Sequence, residues 1–406
     1  MILTSKSLFP WLLIGSFIFF IFSQNSSSPP FRIKELKQRF NGGWKPGCDI
    51  TNGSWVRDNG SSHGYTNQTC KTLPESKNCG KYGKKGDYER WIWQPTRCEL
   101  PRFSAVEFLE ISRGKRMAFV GDSVARNQAD SLVCFLSETE IPKPFHKDQE
   151  DKFPIWYFES HNFTLMVMWT KFLVQGTEKL MNGSGSGDYD LQLDTMDREW
   201  TDRLHFIDYI VISSGHWFSR KIYLYEGGEL TSCIFCSDQN VTNHDPTIGL
   251  QKAFKTTLQF LDEARESDQN MFIVLRTFSP AHFENGTWND GGYCNRTRPF
   301  DESELSMTGT YWDIRNAQVE EVNKIKIASR NVKRRFELLD ITKAMMMRPD
   351  AHPDSNWNNE WMRGYRDCVH WCLPGALDMW NDMLLILLKK YSWEMGNIEA
   401  ERSYNR

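Results

Sequence analysis

The sequence predicts an α/β fold with a mostly parallel β-sheet, helices on both faces, and a small cysteine-rich N-terminal unit packed on it. Three observations lead to this prediction. From Pro101 onward, short apolar runs alternate with segments of helical periodicity, which is typical of a parallel sheet. Residues 41–100 are instead rich in cysteine and tryptophan and show no long periodic segment. The chain of 406 residues is long enough to bury a large core.

The individual elements follow from the apolar runs, taken in chain order. The patterns predict helices at 103–111, 124–137, 247–266, 319–327 and 377–391, and strands at 117–120, 163–169, 207–213, 271–276 and 336–340. The glycine- and serine-rich segment 182–187 is predicted to be a flexible loop. In a parallel sheet, functional residues collect beyond the carboxyl ends of the strands, so we expect the site there.

The N-terminus predicts a signal anchor at 1–24, followed by a polar stem at 25–40. Lys6 precedes an almost unbroken apolar run from Leu8 to Phe22, shorter than the ~20 residues of a typical spanning helix. A cleaved signal peptide is therefore the alternative, but no clear small-x-small cleavage site follows the run. With Lys6 on the cytosolic side, all later residues would lie in the lumen of the secretory pathway.

Two further patterns indicate a lumenal, oxidising compartment. Ten cysteines give an even number that suits disulfides. Cys233 and Cys236 resemble half of a zinc site, but no second ligand pair accompanies them at the usual spacing, so disulfides are favoured over a metal. Nine glycosylation sequons occur, at Asn25, Asn52, Asn59, Asn67, Asn162, Asn182, Asn240, Asn285 and Asn295.

Composition narrows the choice of partner. The formal net charge is −3, from 49 Lys and Arg against 52 Asp and Glu. This balance argues against nucleic acid as a binding partner. Aromatic residues make up 14% of the chain, and exposed tryptophan and tyrosine faces are a common way to bind sugars. The cysteine- and tryptophan-rich unit at 41–100 either packs against the larger domain at 101–395 or supplies aromatic side chains to a glycan groove. A short tail at 396–406 ends the chain.

The stretch from Lys115 to Ser123 predicts a buried strand that ends at Gly121 and places Ser123 at the start of a helix. Such a junction exposes a side-chain oxygen beside unpaired backbone N–H groups, as a nucleophile requires. The alternative is that Asp122 or Ser123 only caps the helix, which is the commoner role of these residue types. Within this stretch alone, the cap is the favoured interpretation.

A second segment, Arg366–Gly375, supplies a partner for Ser123 just before the last predicted helix. Asp367 precedes His370 by three residues, a spacing that lets the carboxylate hold one imidazole nitrogen while the other faces a nucleophile. Cys368 and Cys372 flank the histidine and are expected to hold this loop. Gly-Asp-Ser followed late in the chain by Asp-x-x-His is the order found in Gly-Asp-Ser-Leu-type esterases.

The two motifs together resemble the plant trichome birefringence-like family of wall-polysaccharide O-acetyltransferases. The resemblance covers nearly the whole predicted lumenal region, including the cysteine- and tryptophan-rich unit, and its motifs are at 121–128, 215–217, 276–295 and 367–375. Segments 156–164 and 169–174 resemble the branch linked to xyloglucan. This resemblance implies a single-pass Golgi membrane protein with a lumenal, esterase-like catalytic domain.

The resemblance also implies a mechanism through an acetyl-serine intermediate. Ser123 would be the nucleophile, His370 its general base and then acid, and Asp367 the group that orients the histidine. No phosphate-binding glycine-rich loop or other coenzyme motif occurs, so no bound cofactor is expected and the acetyl donor has no sequence signature. A membrane partner that passes acetyl groups into the lumen is one source. The alternatives are a polysaccharide acetyl-esterase with the same triad and a non-catalytic glycan-binding protein.

Other site residues are expected at the same strand ends. The Gly-x-Asn-type block that usually supplies an oxyanion donor in such esterases reads Gly215-His216-Trp217 here. Oxyanion candidates are the backbone N–H groups of Ser123 and Gly215 and the side chains of Asn127 and Arg126. Candidates for holding the glycan or the donor, each with a structural role as the alternative, are Arg276, His282 and His216.

Overall fold

The computed structural model describes residues 48–58, 60, 64–146, 148, 150–264, 270–358 and 364–404. The predicted signal anchor at 1–24 and stem at 25–40 lie outside these residues. Within the described ranges, no helix is both long enough and apolar enough to cross a membrane.

Strands and helices alternate along most of the described chain. The strands are β1 (Gly53–Arg57), β2 (Trp91–Pro95), β3 (Arg116–Gly121), β4 (Lys143–His146), β5 (Ile155–Phe158), β6 (Phe163–Trp169), β7 (Val174–Met181), β8 (Ser184–Met196), β9 (Tyr209–Ser213), β10 (Ile222–Glu226), β11 (Glu229–Ile234), β12 (Asn243–His244), β13 (Met271–Arg276) and β14 (Arg334–Leu339). The helices are α1 (Ala105–Ile111), α2 (Ser123–Ser137), α3 (Arg198–Thr201), α4 (Pro246–Glu263), α5 (Thr310–Ala328), α6 (Thr342–Met346) and α7 (Asp378–Tyr404).

The central sheet has the strand order β14-β13-β9-β3-β6-β5-β4. The first five of these strands are parallel to one another, and β5 and β4 add an antiparallel edge. The predicted mostly parallel sheet is therefore confirmed, and the strands predicted at 163–169 and 271–276 coincide with β6 and β13. Helix α7 continues to Tyr404, beyond the predicted helix end at 391.

Alternating side chains of the central strands build a core on each face of the sheet. In β3, Met117 and Phe119 pack into one core with residues of α1, α2 and α7. Ala118 and Val120 pack into the other core with residues of α4 and α5. All four side chains are buried. The helices lie on both faces, as predicted, because a buried strand presents apolar side chains in both directions.

A second sheet, with the order β12-β11-β10-β8-β7, is not anticipated by the periodicity. Segment 182–187, predicted as a flexible loop, is a two-residue turn followed by the first residues of β8. Asn182 and Gly183 have φ values of 51° and 82°, as a tight hairpin turn requires. The other residues of the segment belong to β8, which pairs antiparallel with β7, so the loop prediction is wrong.

The N-terminal unit is a β1-β2 antiparallel pair with loops joined to the larger domain. Cys48–Cys98 lies within the unit, Cys70–Cys134 joins it to α2, and Cys79–Cys372 joins it to the segment before α7. Trp55 and Trp93 are buried with ring centroids 5.7 Å apart, and Trp55 Nε1 donates to a backbone carbonyl of α6 at 2.8 Å. These two tryptophans therefore pack the unit against the larger domain and do not line a glycan groove.

Candidate active site

The junction between β3 and α2 requires a glycine. A Cβ atom at Gly121 would lie 1.6 Å from the carbonyl oxygen of Ser213 on β9, so no other residue allows this approach. Asp122 is the N-cap of α2, and its Oδ1 accepts the Val124 N–H at 3.0 Å. Because Asp122 serves as the cap, the hydroxyl of Ser123, the first residue of α2, is available for another partner.

That partner is His370, which is distant from Ser123 in sequence. His370 Nε2 lies 2.7 Å from Ser123 Oγ. Its Nδ1 lies 2.9 Å from Asp367 Oδ2 and 3.1 Å from Oδ1. Ser123 and His370 are partly exposed, whereas Asp367 is buried. The structure thus brings the three predicted residues into the series of a hydroxyl, a base and an orienting carboxylate that nucleophilic catalysis requires.

The Asp367 carboxylate is held in its ionised form. Its Oδ1 accepts the backbone N–H groups of Val369 and His370 at 3.1 and 2.9 Å, and Lys77 Nζ lies 3.6 Å from its Oδ2. Burial alone would raise the pKa of Asp367. The charges and hydrogen bonds of His370, together with the charge of Lys77, outweigh burial and hold that pKa far below its ordinary value.

The same surroundings keep His370 neutral. Burial lowers the pKa of His370, the Asp367 charge offsets part of that change, and Lys77 and His216 lower the pKa further. With Asp367 accepting the Nδ1–H, Nε2 carries the free lone pair and accepts the hydrogen bond of Ser123. His370 is therefore in the protonation state of a general base near neutral pH.

Disulfides hold the loop that carries His370 from both sides, as predicted. Cys294–Cys368 joins the loop to the segment after β13, and Cys79–Cys372 joins it to the N-terminal unit. The Cys233–Cys236 pair is also a disulfide, and all ten cysteines of the chain are paired. Asp354 Oδ lies near both sulfurs of Cys294–Cys368, but these sulfurs are bonded to each other and do not offer thiolate ligands.

His216 contacts Asp122, the residue that precedes Ser123 and caps α2. His216 Nδ1 is 3.4 Å from Asp122 Oδ2, and Nε2 is 2.8 Å from the carbonyl oxygen of Ser279. The ring is tilted by 31° against that of Phe278, with the centroids 4.7 Å apart. Burial would raise the pKa of Asp122, but His216 and Arg276 hold that pKa below its ordinary value. Because both ring nitrogens contact protein atoms, the structural alternative is favoured for His216.

Of the remaining two substrate candidates, Arg276 is buried, with Nε and Nη1 lacking a hydrogen-bond partner among the described residues, and both ring nitrogens of His282 contact protein atoms. Arg276 is 2% exposed, and its guanidinium lies 4.4 Å from the ring centre of Trp380. Burial lowers the pKa of Arg276 to about 10. His282 contacts His352 Nε2 at 2.8 Å through Nδ1 and the Met346 carbonyl at 3.1 Å through Nε2, and burial lowers its pKa to about 4. For both residues the structural alternative is the one that these contacts favour.

The two side-chain candidates for the oxyanion hole already have hydrogen-bond partners within the protein. Arg126 Nε donates to Asp130 Oδ1 at 2.8 Å, and its other nitrogens donate to Asp151. Asn127 Oδ1 accepts the Trp371 N–H at 2.8 Å, and its Nδ2 donates to the Trp371 carbonyl at 3.3 Å. These hydrogen bonds fix both side chains within the protein and favour a structural role for them over donation to an oxyanion.

The backbone candidates lie at the expected edge of the sheet. Ser123 is the first residue of α2, where helix amides have no intrahelical acceptor. Gly215 follows β9, in which Ser213 is the register partner of Gly121. The N–H groups of Ser123 and Gly215 therefore remain the candidate oxyanion donors.

Two residues near the triad carry no signal in the sequence. Lys77 is 8% exposed and belongs to the N-terminal unit, and its carbonyl accepts the Leu373 N–H at 2.9 Å. His352 Nδ1 lies 2.6 Å from the His370 carbonyl oxygen, to which it donates. If the Cys79–Cys372 pairing were known, it would place Lys77 near His370, because Cys79 follows Lys77 by two residues and Cys372 follows His370 by two. That pairing, however, cannot be read from a single sequence.

Two protein-family models match this chain. Residues 100–387 match the GDSL/SGNH-like acyl-esterase family found in Pmr5 and Cas1p. Residues 46–99 match the PMR5 N-terminal domain. Together the matches cover Ser123, Asp367 and His370 as well as the N-terminal unit that contains Lys77.

Similar curated proteins come from plants. Xyloglucan O-acetyltransferase 3 of Populus trichocarpa is 49% identical over 85% of this chain and 87% of its own length. Xyloglucan O-acetyltransferase 2 of Arabidopsis thaliana is 45% identical over 85% of this chain and 83% of its own length. Protein trichome birefringence-like 19 of Arabidopsis thaliana is 40% identical over 84% of this chain and 81% of its own length.

Proposed function

The chain belongs to the GDSL/SGNH-like acyl-esterase family found in Pmr5 and Cas1p, and we propose that it transfers acetyl groups onto xyloglucan of the plant cell wall. Relatives named xyloglucan O-acetyltransferase support both the reaction and the acceptor. The observation that carries the proposal is the hydrogen-bonded series from Ser123 Oγ through His370 to Asp367. We propose these three residues as the catalytic triad.

The first half of the proposed reaction acylates the serine. Ser123 Oγ attacks the carbonyl carbon of the acetyl donor as its proton passes to His370 Nε2. The buried Asp367 carboxylate stabilises the imidazolium through Nδ1. When the tetrahedral intermediate collapses, His370 returns the proton to the departing group of the donor. Proton transfer of this kind contributes ~10²–10⁴-fold in rate.

The second half transfers the acetyl group to the sugar. A xyloglucan hydroxyl gives its proton to His370 Nε2 and attacks the acetyl-serine carbonyl. The proton then returns to Ser123 Oγ as the new ester leaves. Both tetrahedral intermediates place negative charge on the same oxygen, and the Ser123 and Gly215 N–H groups are the proposed donors to it. Removing one donor from such a site costs about 3–4 kcal/mol of transition-state stabilisation.

The proposal includes the compartment and the donor. We propose a Golgi membrane protein of type II, anchored by the apolar run from Leu8 to Phe22, with the catalytic domain in the lumen. The disulfides are consistent with such an oxidising compartment. The chain needs an acetyl donor and no resident cofactor, and a membrane partner that delivers acetyl groups to the lumen is the proposed source.

Acetyl transfer by the purified full chain tests the triad. An aryl acetate serves as the donor and a xyloglucan oligosaccharide as the acceptor, with the acetylated product detected by mass spectrometry. Ser123→Ala and His370→Ala are each expected to abolish transfer. The exposed residues Ser237 and His244 provide matched controls, because Ser237→Ala and His244→Ala should leave transfer unchanged. Full transfer by either triad variant would exclude the triad.

The same protein distinguishes a transferase from a polysaccharide acetyl-esterase. Acetylated xyloglucan is incubated with the full chain without a donor, and released acetate is measured. A transferase is expected to release acetate much more slowly than it transfers acetyl groups to an oligosaccharide. Release at a rate equal to transfer would show that water competes fully with the sugar and would favour a hydrolase.

A further inference from the structure

Two exposed aromatic rings contact each other in segments linked to the catalytic loop and have no role in the proposed reaction steps. Trp288 is 36% exposed and Tyr365 is 44% exposed. Their ring centroids are 6.1 Å apart, with a 31° angle between the planes. The Arg220 guanidinium lies 4.5 Å from the centre of the Trp288 ring. These three side chains form a partly exposed surface, here named the aromatic platform.

The platform links the chain segment of Asp367 to the loop after β9. Tyr365 precedes Asp367 by two residues, so their Cα atoms are at most about 7 Å apart. On the other side, Arg220 lies 5.7 Å from the centre of the Trp217 ring. Trp217 directly follows His216, which contacts the residue before Ser123. The aromatic platform therefore lies among segments that lead to the triad on two sides, through Tyr365 to Asp367 and through Trp217 to the residue before Ser123.

The loop that carries Trp288 is held by backbone hydrogen bonds between its ends and by a neighbouring disulfide. It lies in a short loop whose ends, Glu284 and Tyr293, exchange two backbone hydrogen bonds of 2.8 and 3.1 Å. The next residue, Cys294, is bonded to Cys368 in the catalytic loop. A preformed aromatic surface loses little conformational entropy when a ligand binds. Exposed aromatic rings fixed in this way mark a binding site more often than a random surface feature.

We propose that the aromatic platform of Trp288, Tyr365 and Arg220 is a sugar-binding subsite that holds the acceptor polysaccharide beside Ser123. This inference rests on the proposed function. The flat rings suit the C–H faces of a pyranose ring, and the guanidinium offers N–H donors to sugar hydroxyls. The occupant is a neutral sugar of the acceptor backbone, bound next to the residue whose hydroxyl receives the acetyl group.

Binding and kinetics of single variants test the aromatic platform. Xyloglucan oligosaccharide binding is measured by calorimetry with the full chain carrying Ser123→Ala, so that no turnover interferes. Trp288→Ala or Tyr365→Ala added to it is expected to weaken binding roughly tenfold, as loss of a central aromatic contact does. In the active chain the same substitutions should raise KM for the oligosaccharide without a matching fall in kcat. Trp288→Phe keeps a flat ring and should retain most of the affinity.

A matched control is another exposed tryptophan. Trp393, on α7, is 49% exposed and lies about 22 Å along the helix from its first residue, Asp378. Trp393→Ala should change neither binding nor KM. Equal affinity of the Trp288→Ala, Tyr365→Ala and parent proteins, with unchanged thermal unfolding, would overturn the proposal. Tighter binding of polygalacturonate than of xyloglucan would also overturn it, because that result would indicate an acidic ligand for Arg220.

The protein's own glycosylation must be separated from a bound acceptor. Asn285 is a sequon residue three positions before Trp288, and a glycan attached there could cover the rings. Thr287→Ala removes this sequon, and oligosaccharide binding is expected to persist. Binding that appears only in Thr287→Ala would show that the attached glycan occupies the rings in the parent protein and would overturn the proposal. Binding that depends on the platform in a protein without transfer activity would support the subsite while contradicting the proposed function.

Discussion

Replacing Lys77 with methionine tests whether the N-terminal unit sets the protonation of the catalytic base. Lys77 Nζ is 3.6 Å from Asp367 Oδ2, and that oxygen is 2.9 Å from His370 Nδ1. The ammonium and the imidazole are therefore separated by at most the sum of these distances, about 6.5 Å. At an effective dielectric constant of about 20, two unit charges at about 6.5 Å interact by ~2.5 kcal/mol.

The sign of the effect follows from the proposed role of His370 as a base. His370 must be neutral to accept the Ser123 proton, so the rate rises as pH increases through the pKa of His370. Apart from burial, the positive charge of Lys77 lowers that pKa because it disfavours the imidazolium. Lys77→Met therefore raises the pKa of His370, and the acid limb of the pH–rate profile moves to higher pH. At a fixed pH on that limb, we expect kcat to fall by roughly 10–100-fold, as ~2.5 kcal/mol corresponds to.

The assay is the pH dependence of kcat for acetyl transfer, measured for the parent chain and two lysine variants. Lys81→Met is the matched control, because Lys81 belongs to the same unit but forms an exposed ion pair with Glu75 at 2.8 Å. Its profile should coincide with that of the parent. Thermal unfolding identifies any variant that has lost the fold. A folded Lys77→Met protein with an unmoved acid limb would refute the electrostatic role of Lys77.

Three further predictions concern the triad, the β3–α2 junction and the disulfides. Asp367→Asn should lower kcat by roughly 10³–10⁴-fold with little change in KM, because an amide cannot stabilise the imidazolium; steady-state kinetics check this. Gly121→Ala should destabilise the fold by about 3 kcal/mol or more in urea unfolding, because the added Cβ overlaps a carbonyl oxygen of β9. Serine at both positions of Cys79–Cys372, separated by 293 residues, should cost about 2–5 kcal/mol in the same assay. The same double change at Cys233–Cys236, separated by 3 residues, should cost much less, and equal losses would contradict the loop-entropy argument.

Buried parallel strands could be predicted from the sequence, and half-exposed strands could not. The strands β6 and β13 are continuous apolar runs because both of their faces are covered, and such runs stand out in any sequence. Strands β7 and β8 carry many exposed polar residues and glycines, so their composition matches that of a loop. Their pairing depends on the turn at 182–183 and on the register between β8 and β10. That register is a tertiary property that local composition does not encode.

The site residues also fall into two groups: those that local sequence spacing predicts and those that only the tertiary fold brings together. Asp367 and His370 could be predicted because their spacing of three residues is itself the geometry that lets one hold the other. Arg126 and Asn127 are candidate oxyanion donors by their position after Ser123, but position alone does not show which partners a side chain meets. Lys77 reaches Asp367 only because distant segments are joined in the fold, so no local pattern could identify it.

One face of α2 explains why the Gly-Asp-Ser motif and the Asp-x-x-His motif occur together. Ser123, Asn127 and Ser131 are spaced by four residues and lie on the same side of the helix. Ser123 meets His370, Asn127 binds both backbone groups of Trp371, and Ser131 donates to Asp378 Oδ1 at 2.6 Å. The helix thus binds the C-terminal segment at three successive turns. Catalysis needs the serine and the histidine within about 0.5 Å of their productive distance, which one contact cannot ensure. Because Asn127 binds the residue next to His370, we expect it to contribute to the proposed reaction through the position of that histidine.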